Sequence, residues 1–242
     1  MRETTITIDS RFCGPPQSAN GGYACGRLAS FLPGTSKVRL KAPPPLGVEL
    51  RAEIADGEAR LFDGPAVLAE AQLSDLDTVA PPPPTFEQAI EASKSYPGFV
   101  EHFFPTCFVC GPDRQPGDGM RIFPGDLPGQ PIGAAPWVPD ASFGDETGHV
   151  RPEFIWSALD CPTGYCLIAL PKGTGALLGE LAVRIDGPVS VGEKCVVLGW
   201  SLGIDGRKYY GGSALYSESG RPVAVAKGTW ISLPASALPP AS

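Results

Sequence analysis

Histidine and methionine are scarce in this chain, two of each, and its 19 lysines and arginines are outnumbered by 26 acids. The formal charge of −7 leaves no basic surface of the kind nucleic acids require, so no nucleic-acid partner is expected. Two histidines give a Ser-His-Asp triad little to draw on, and no G-x-S-x-G elbow supports one. No apolar run reaches membrane-spanning length, and the opening M-R-E-T-T-I-T-I-D-S has no apolar signal-peptide core. A soluble, cytoplasmic protein with no membrane partner is expected. Seven cysteines make an odd number, scattered among apolar and small residues, which suits reduced thiols better than a disulfide framework.

What is present is material for cores: 43% of the residues are hydrophobic, and 242 residues are long for one compact domain and comfortable for two. Thr4 to Ile8 alternates as a strand. A loop then leads to a short helix from about Gly21 to Leu32, with Asn20, Gly21 and Gly22 at its start. That start leaves backbone N–H groups uncovered, a place for a carbonyl oxygen or an anion; an ordinary asparagine cap is the plainer reading. Strands are expected over Val38 to Leu40, Val48 to Ile54 and Ala66 to Leu73. Val79 to Thr85 contains four consecutive prolines and reads as a stiff linker, followed by a short helix from Phe86. We therefore divide the chain into residues 1–85 and 86–242.

In the second part, Met120 to Phe123 and Ile132 to Trp137 read as strands, and Pro152 to Cys166 as a helix. Proline at the first helical position, with Glu153 behind it, suits a helix start. At a helical period Phe154, Ile155, Ala158 and Leu159 form one arc, while Glu153, Ser157 and Asp160 form the opposite strip with Trp156 at its border. Long strands are expected over Leu181 to Ile185, Lys194 to Trp200, Lys208 to Ser217 and Val223 to Ser232. One helix followed by long antiparallel strands is an α+β pattern.

An internal repeat links the two parts. The segment from Gly34 lies without a gap over that from Gly179, with identities at Gly34/Gly179, Val38/Val183, Arg39/Arg184, Pro43/Pro188 and Gly47/Gly192. A helix precedes the segment and an antiparallel run follows it in both parts, which suggests two copies of one unit in a single chain.

The residues C-F-V-C-G-P-D-R and G-D-G-M-R-I-F, the helix ending A-L-D, and the later G-P-V-S-V-G-E and G-R-K-Y-Y-G-G-S resemble the phenylacetic-acid-pathway type of hotdog thioesterase. S-A-N-G-G-Y-A-C-G-R-L-A resembles the helix start of other acyl-CoA thioesterases. The resemblance implies a double hotdog fold, a pseudo-dimer of two helices each wrapped by a long antiparallel sheet. It also implies hydrolysis of an acyl-CoA or similar thioester by a carboxylate-activated water between the repeats, with coenzyme A entering as part of the substrate and no other cofactor. Asp160 stands where such enzymes carry their acid. Their His-Gly-Gly is replaced before this helix by Arg151, Pro152 and Glu153, and proline has no N–H to donate. Asn20, Gly21 and Gly22 fit the pattern better, while the first helix has Ala29 where an acid would fall. One complementary site per chain is thus expected, with Glu153, Trp156 and Ser157 contacting substrate and Arg207 and Lys208 meeting the phosphates of coenzyme A. Pairing of whole chains into a homodimer is a further implication.

Two other constellations carry chemistry-bearing residues. Cys107 and Cys110 have metal-ligand spacing, yet zinc takes four ligands, and Cys161 and Cys166 complete a set only if the fold brings them near. We expect no metal and take the pair as small buried residues in a turn. Asp145 and His149, just before the second helix, are one residue closer than the pair of hotdog hydratases, which leaves enoyl hydration as a minor alternative. A non-catalytic binder of acyl thioesters is the competing class.

Overall fold

The computed structural model describes residues 1–239. Eleven strands form one antiparallel sheet, and three α-helices accompany it. Strand β1 (Arg2–Thr7) leads to α1 (Gly21–Ala29), then β2 (Ser36–Leu40), β3 (Glu49–Ala55), β4 (Glu58–Asp63) and β5 (Ala66–Leu73). After the proline run come α2 (Phe86–Ser93), β6 (Gly125–Asp126), β7 (Ile132–Trp137) and α3 (Pro152–Thr163). The chain closes with β8 (Thr174–Ile185), β9 (Cys195–Asp205), β10 (Lys208–Tyr216) and β11 (Pro222–Pro234). Across the sheet the order is β1-β3-β4-β5-β2-β8-β11-β10-β9-β7-β6.

The centre of that order explains the repeat. Strands β2 and β8 pair antiparallel, with Ser36 opposite Val183, Lys37 opposite Ala182 and Val38 opposite Leu181. The gap-free alignment equates Lys37 with Ala182 and Val38 with Val183. Lys37 therefore faces its own counterpart, and the flanking pairs, Ser36–Val183 and Val38–Leu181, exchange about an approximate two-fold axis through the Lys37–Ala182 pair. The two parts of the chain share one sheet at this seam, and each contributes one central helix.

The helices pack on each other in opposite directions, because Gly22 of α1 meets Asp160 late in α3 while Gly26 meets Glu153 and Trp156 early in it. A Cβ on Gly26 would lie 2.7 Å from Glu153 Cα and 2.8 Å from Trp156 Cβ, so two glycines one turn apart permit this separation. Around the pair lies a continuous core including Tyr23, Leu28, Phe108, Phe154 and Leu159. A capping box of Thr85 and Gln88 starts α2, whose buried Ala89 and Ala92 pack near β7. No helix among the described residues is long and apolar enough to cross a membrane.

Several local expectations change. Strand β4 was not foreseen: it is a short segment between two Asp-Gly turns, with Asp56 and Gly57 both at positive φ, which favours a tight hairpin. Met120 to Phe123 is not a strand, because Arg121 at φ +55° leaves the extended region; Met120 N–H and Ile122 N–H instead donate to Phe108 and Val109 carbonyls. The α3 helix ends at Thr163 and tightens into a 3-10 segment, Gly164–Ala169. Pro162, inside its last turn, lacks the N–H that would continue the ladder. Strand β8 begins seven residues before its expected start and β9 runs five beyond its expected end.

Candidate active site

Asn20 caps α1 and reaches across to α3 with the same side chain. Its Oδ1 accepts from Tyr23 N–H at 2.9 Å, and its Nδ2 donates to Asp160 Oδ2 at 3.0 Å. Its own N–H donates to the Phe12 carbonyl at 2.8 Å, which fixes the backbone entering the helix. Gly22 N–H donates to the same Asp160 Oδ2 at 2.8 Å. A side chain at Gly22 would sit 2.5 Å from Asp160 Cβ and 2.8 Å from the Trp156 carbonyl, so glycine is required for that approach. The cap and the contact to Asp160 are thus the two ends of one amide.

Asp160 is 2% exposed, and its second oxygen, Oδ1, is buried with no hydrogen-bond partner among the described residues. Burial pushes the carboxyl up to about 7, against the Gly22 N–H and Asn20 amide, which favour the charged form. The neighbouring Cys107 pushes in the same direction as burial. Gly22 N–H, expected to face a substrate carbonyl, is instead committed to the carboxylate. The free donor at this helix start is the Gly21 N–H, which has no partner among the described residues.

Asp160, Asn20 and Gly21 border a cavity of about 490 Å³. Its wall is largely apolar, formed by side chains such as Phe103, Tyr165, Leu178, Trp230 and Ile231. A volume of this order with few polar groups suits a small organic ligand or acyl group. The far end of α3 is held by β9, β10 and β11: glycines at 199 and 211 admit the carbonyls of Pro162 and Thr163, and Trp230 Nε1 donates to Thr163 Oγ1 at 2.8 Å. These contacts fix the turn of α3 that carries Asp160.

The other expected substrate contacts lie elsewhere. Ser157 is fully buried and its Oγ donates to the Glu153 carbonyl at 2.7 Å; Trp156 is buried against Gly26; Glu153 lies 3.7 Å from Arg151. None of the three borders the cavity, because the polar strip of α3 faces the glycines of α1. Arg207 and Lys208 are exposed at the β9–β10 turn and do not border it either, although Lys208 is paired with Ile231, which does. The Asp145–His149 loop is a turn closed on itself: Asp145 Oδ1 accepts from Thr147 and from His149 N–H, away from the cavity lining.

Sequence reasoning missed Tyr96 and His102, and set aside a grouping of Cys107 and Cys110 with Cys161; all five border the cavity. The C-x-x-C spacing was the visible signal. Its third member, Cys161, lies 3.9 Å from Cys107 across the site, while Cys166 turns away and donates to the Thr163 carbonyl. Hydrogen bonds from the Cys110 and Cys161 thiols hold Cys107 well below the ordinary thiol range in spite of its burial.

Solved structures with this architecture span nearly the whole chain. A candidate thioesterase II from Thermobifida fusca covers 96% of this chain and 92% of its own at 14% identity, with a TM-score of 0.62. A candidate thioesterase from Novosphingobium aromaticivorans covers 95% and 94% at 12% identity, with a TM-score of 0.61. A hot dog fold protein of unknown function from Alicyclobacillus acidocaldarius covers 96% and 93% at 11% identity, with a TM-score of 0.55. The fold is a double hotdog. Its two helices are α1 and α3, and the candidate site lies where the start of the first meets the end of the second. No family model matches the sequence, and no curated protein sequence does. At these identities the likeness to other double hotdog proteins establishes architecture.

Proposed function

We propose that the protein hydrolyses an acyl thioester such as an acyl-CoA at the interface of its two hotdog units. The observation that carries this reading is the buried Asp160 at the cavity wall, with Oδ2 held by Gly22 N–H and Asn20 Nδ2 and Oδ1 left without a partner. Asp160 is oriented by one oxygen, and in this reading the other, buried and unpartnered, takes a proton from a water that enters with the substrate. The water oxygen bonds to the thioester carbonyl carbon as Asp160 accepts its proton, and the Gly21 N–H at the positive end of α1 stabilises the developing oxyanion. Collapse of the tetrahedral species breaks the C–S bond, and the thiolate departs without needing a strong acid, after which the proton passes to it or to solvent. The apolar wall takes the acyl group. Arg207 and Lys208 are the cations we assign to the phosphates of coenzyme A, on the strength of the Lys208–Ile231 pairing beside the cavity.

The opposite end of the helix pair supports one site per chain. There Ala29 occupies the place corresponding to Asp160, and Pro152 offers no N–H. A second reading, a non-catalytic acyl-thioester binder, draws on the commitment of Gly22 N–H to the carboxylate, which leaves Gly21 as the helix-start donor. A panel of acyl-CoAs assayed for thiol release separates the two. Turnover of any member supports hydrolysis; binding of acyl-CoA without turnover across the panel establishes the binder. The seven free cysteines accord with a reducing compartment, where we place the protein.

A further inference from the structure

Three thiols from distant parts of the chain converge beside Asp160. Cys107 and Cys110 come from a tight turn closed by Gly111 N–H donating to the Cys107 carbonyl at 2.9 Å, and Cys161 comes from the last turn of α3. Their Sγ atoms all lie within 4.8 Å of one another, and Cys107 Sγ is 3.9 Å from Cys161 Sγ. Tetrahedral zinc with Zn–S bonds of about 2.3 Å separates its sulfurs by about 3.8 Å. The spacing here is therefore close to that of a ligand set and nearly twice a disulfide bond, about 2.05 Å. A disulfide would also leave the third thiol unexplained.

The surroundings are those of metal-bound thiolates. Phe104 N–H donates to His102 Nδ1 at 3.0 Å, so the neutral ring carries its proton on Nε2, which lies 3.4 Å from Cys110 Sγ and donates to it. Histidine is thus a donor to the sulfur and not the fourth ligand. Asn20 Nδ2 points at Cys107 Sγ from 3.8 Å. Such N–H contacts orient ligand sulfurs and offset their charge. All three cysteines, and His102, border the cavity.

We propose that Cys107, Cys110 and Cys161 bind one zinc ion as a three-thiolate site whose fourth coordination position opens to the cavity. Three protein ligands with one open position is the arrangement that lets zinc meet water or a ligand atom, and thiolate ligands favour zinc over hard cations such as magnesium. Water or an atom of the cavity's occupant completes the tetrahedron. The site adjoins Asp160 through Cys161 and through the shared Asn20 amide, and its existence is independent of whether the protein hydrolyses thioesters.

The test is elemental analysis of the untagged full chain after loading with zinc, followed by exchange for cobalt. One zinc per chain is expected, and the cobalt form should show intense thiolate-to-cobalt charge transfer with tetrahedral visible bands. Cys161→Ser should lower zinc affinity at least 100-fold and weaken the thiolate charge-transfer band, since two thiolates remain. Cys166→Ser should keep both. His102→Ala should retain the bands with affinity weakened about 10–100-fold. If Cys161→Ser fails to fold, the cobalt titration of the wild-type chain decides alone. The proposal is overturned if that chain takes up no zinc or cobalt, if two of the three thiols are found joined as a disulfide, or if folded Cys161→Ser binds zinc as tightly as wild type.

Discussion

Asp160→Asn is expected to stabilise the protein while it removes the proton acceptor. In the wild-type chain Oδ2 receives two hydrogen bonds, from Gly22 N–H at 2.8 Å and Asn20 Nδ2 at 3.0 Å, and Oδ1 receives none. An asparagine amide placed with its oxygen at Oδ2 keeps both bonds and puts an NH2 group where the unpartnered oxygen was. Exchanging a charged acceptor for a neutral one weakens the two bonds by about 1 kcal/mol each. Against that, the effective cost of a buried ion is several kcal/mol, and here only one of the two oxygens is compensated. The net gain is about 1–3 kcal/mol. For a chain of this length each kcal/mol shifts the midpoint by about 2–4 °C, so the melting temperature should rise by roughly 2–12 °C. Urea unfolding of both proteins at pH 7.5, with calorimetry alongside, measures it. A variant that unfolds at lower urea with an unchanged slope would refute the reasoning, because the carboxylate would then be a stabilising ion and not a strained one.

The remaining expectations concern the helix pair and the cavity. Gly26→Ala puts a methyl group 2.7 Å from Glu153 Cα, which is backbone and cannot swing away, so overpacking of about 1–3 kcal/mol should exceed the helix-propensity gain of up to about 1 kcal/mol; denaturant titration should show a net loss. Asn20→Ser retains a cap for Tyr23 but not the donor to Asp160, whereas Asn20→Ala loses both. Both should lose activity and the stability supplied by the bond to the carboxylate, and the alanine variant should lose about 1 kcal/mol more with the cap. Ile231→Trp fills part of the 490 Å³ cavity and should shorten the acyl chains accepted, read as a shift in kcat/KM across a chain-length series.

The central symmetry could be read from the chain because it is written as local identity. Matching Val38 with Val183 and Arg39 with Arg184 without a gap picked out two segments that prove to be neighbouring strands, β2 and β8, but not their pairing or the register in which Lys37 faces Ala182. The grouping of Asn20 and Gly22 with Asp160 was implied by the resemblance to hotdog thioesterases, although the use of each N–H was not. Helical periodicity separates polar from apolar positions but says nothing about what a polar strip faces. Glu153 and Ser157 therefore looked available to substrate, while the structure turns that strip onto α1, where Gly22 and Gly26 leave room for close backbone approach. The β4 hairpin hid in a six-residue segment with only Ala59 and Leu61 buried. The thiol cluster was out of reach for another reason: Cys161 joins Cys107 across 54 residues, a proximity created by the last turn of α3 and invisible to spacing.

The most direct measurement of the account is thiol release from a panel of short-chain, long-chain and aromatic acyl-CoAs by wild type and Asp160→Asn, compared at equal folded concentration. The account predicts turnover of at least one thioester by wild type and a loss of about 10²–10⁴-fold in kcat in the variant, the usual contribution of a positioned general base. Unchanged turnover in folded Asp160→Asn would contradict it.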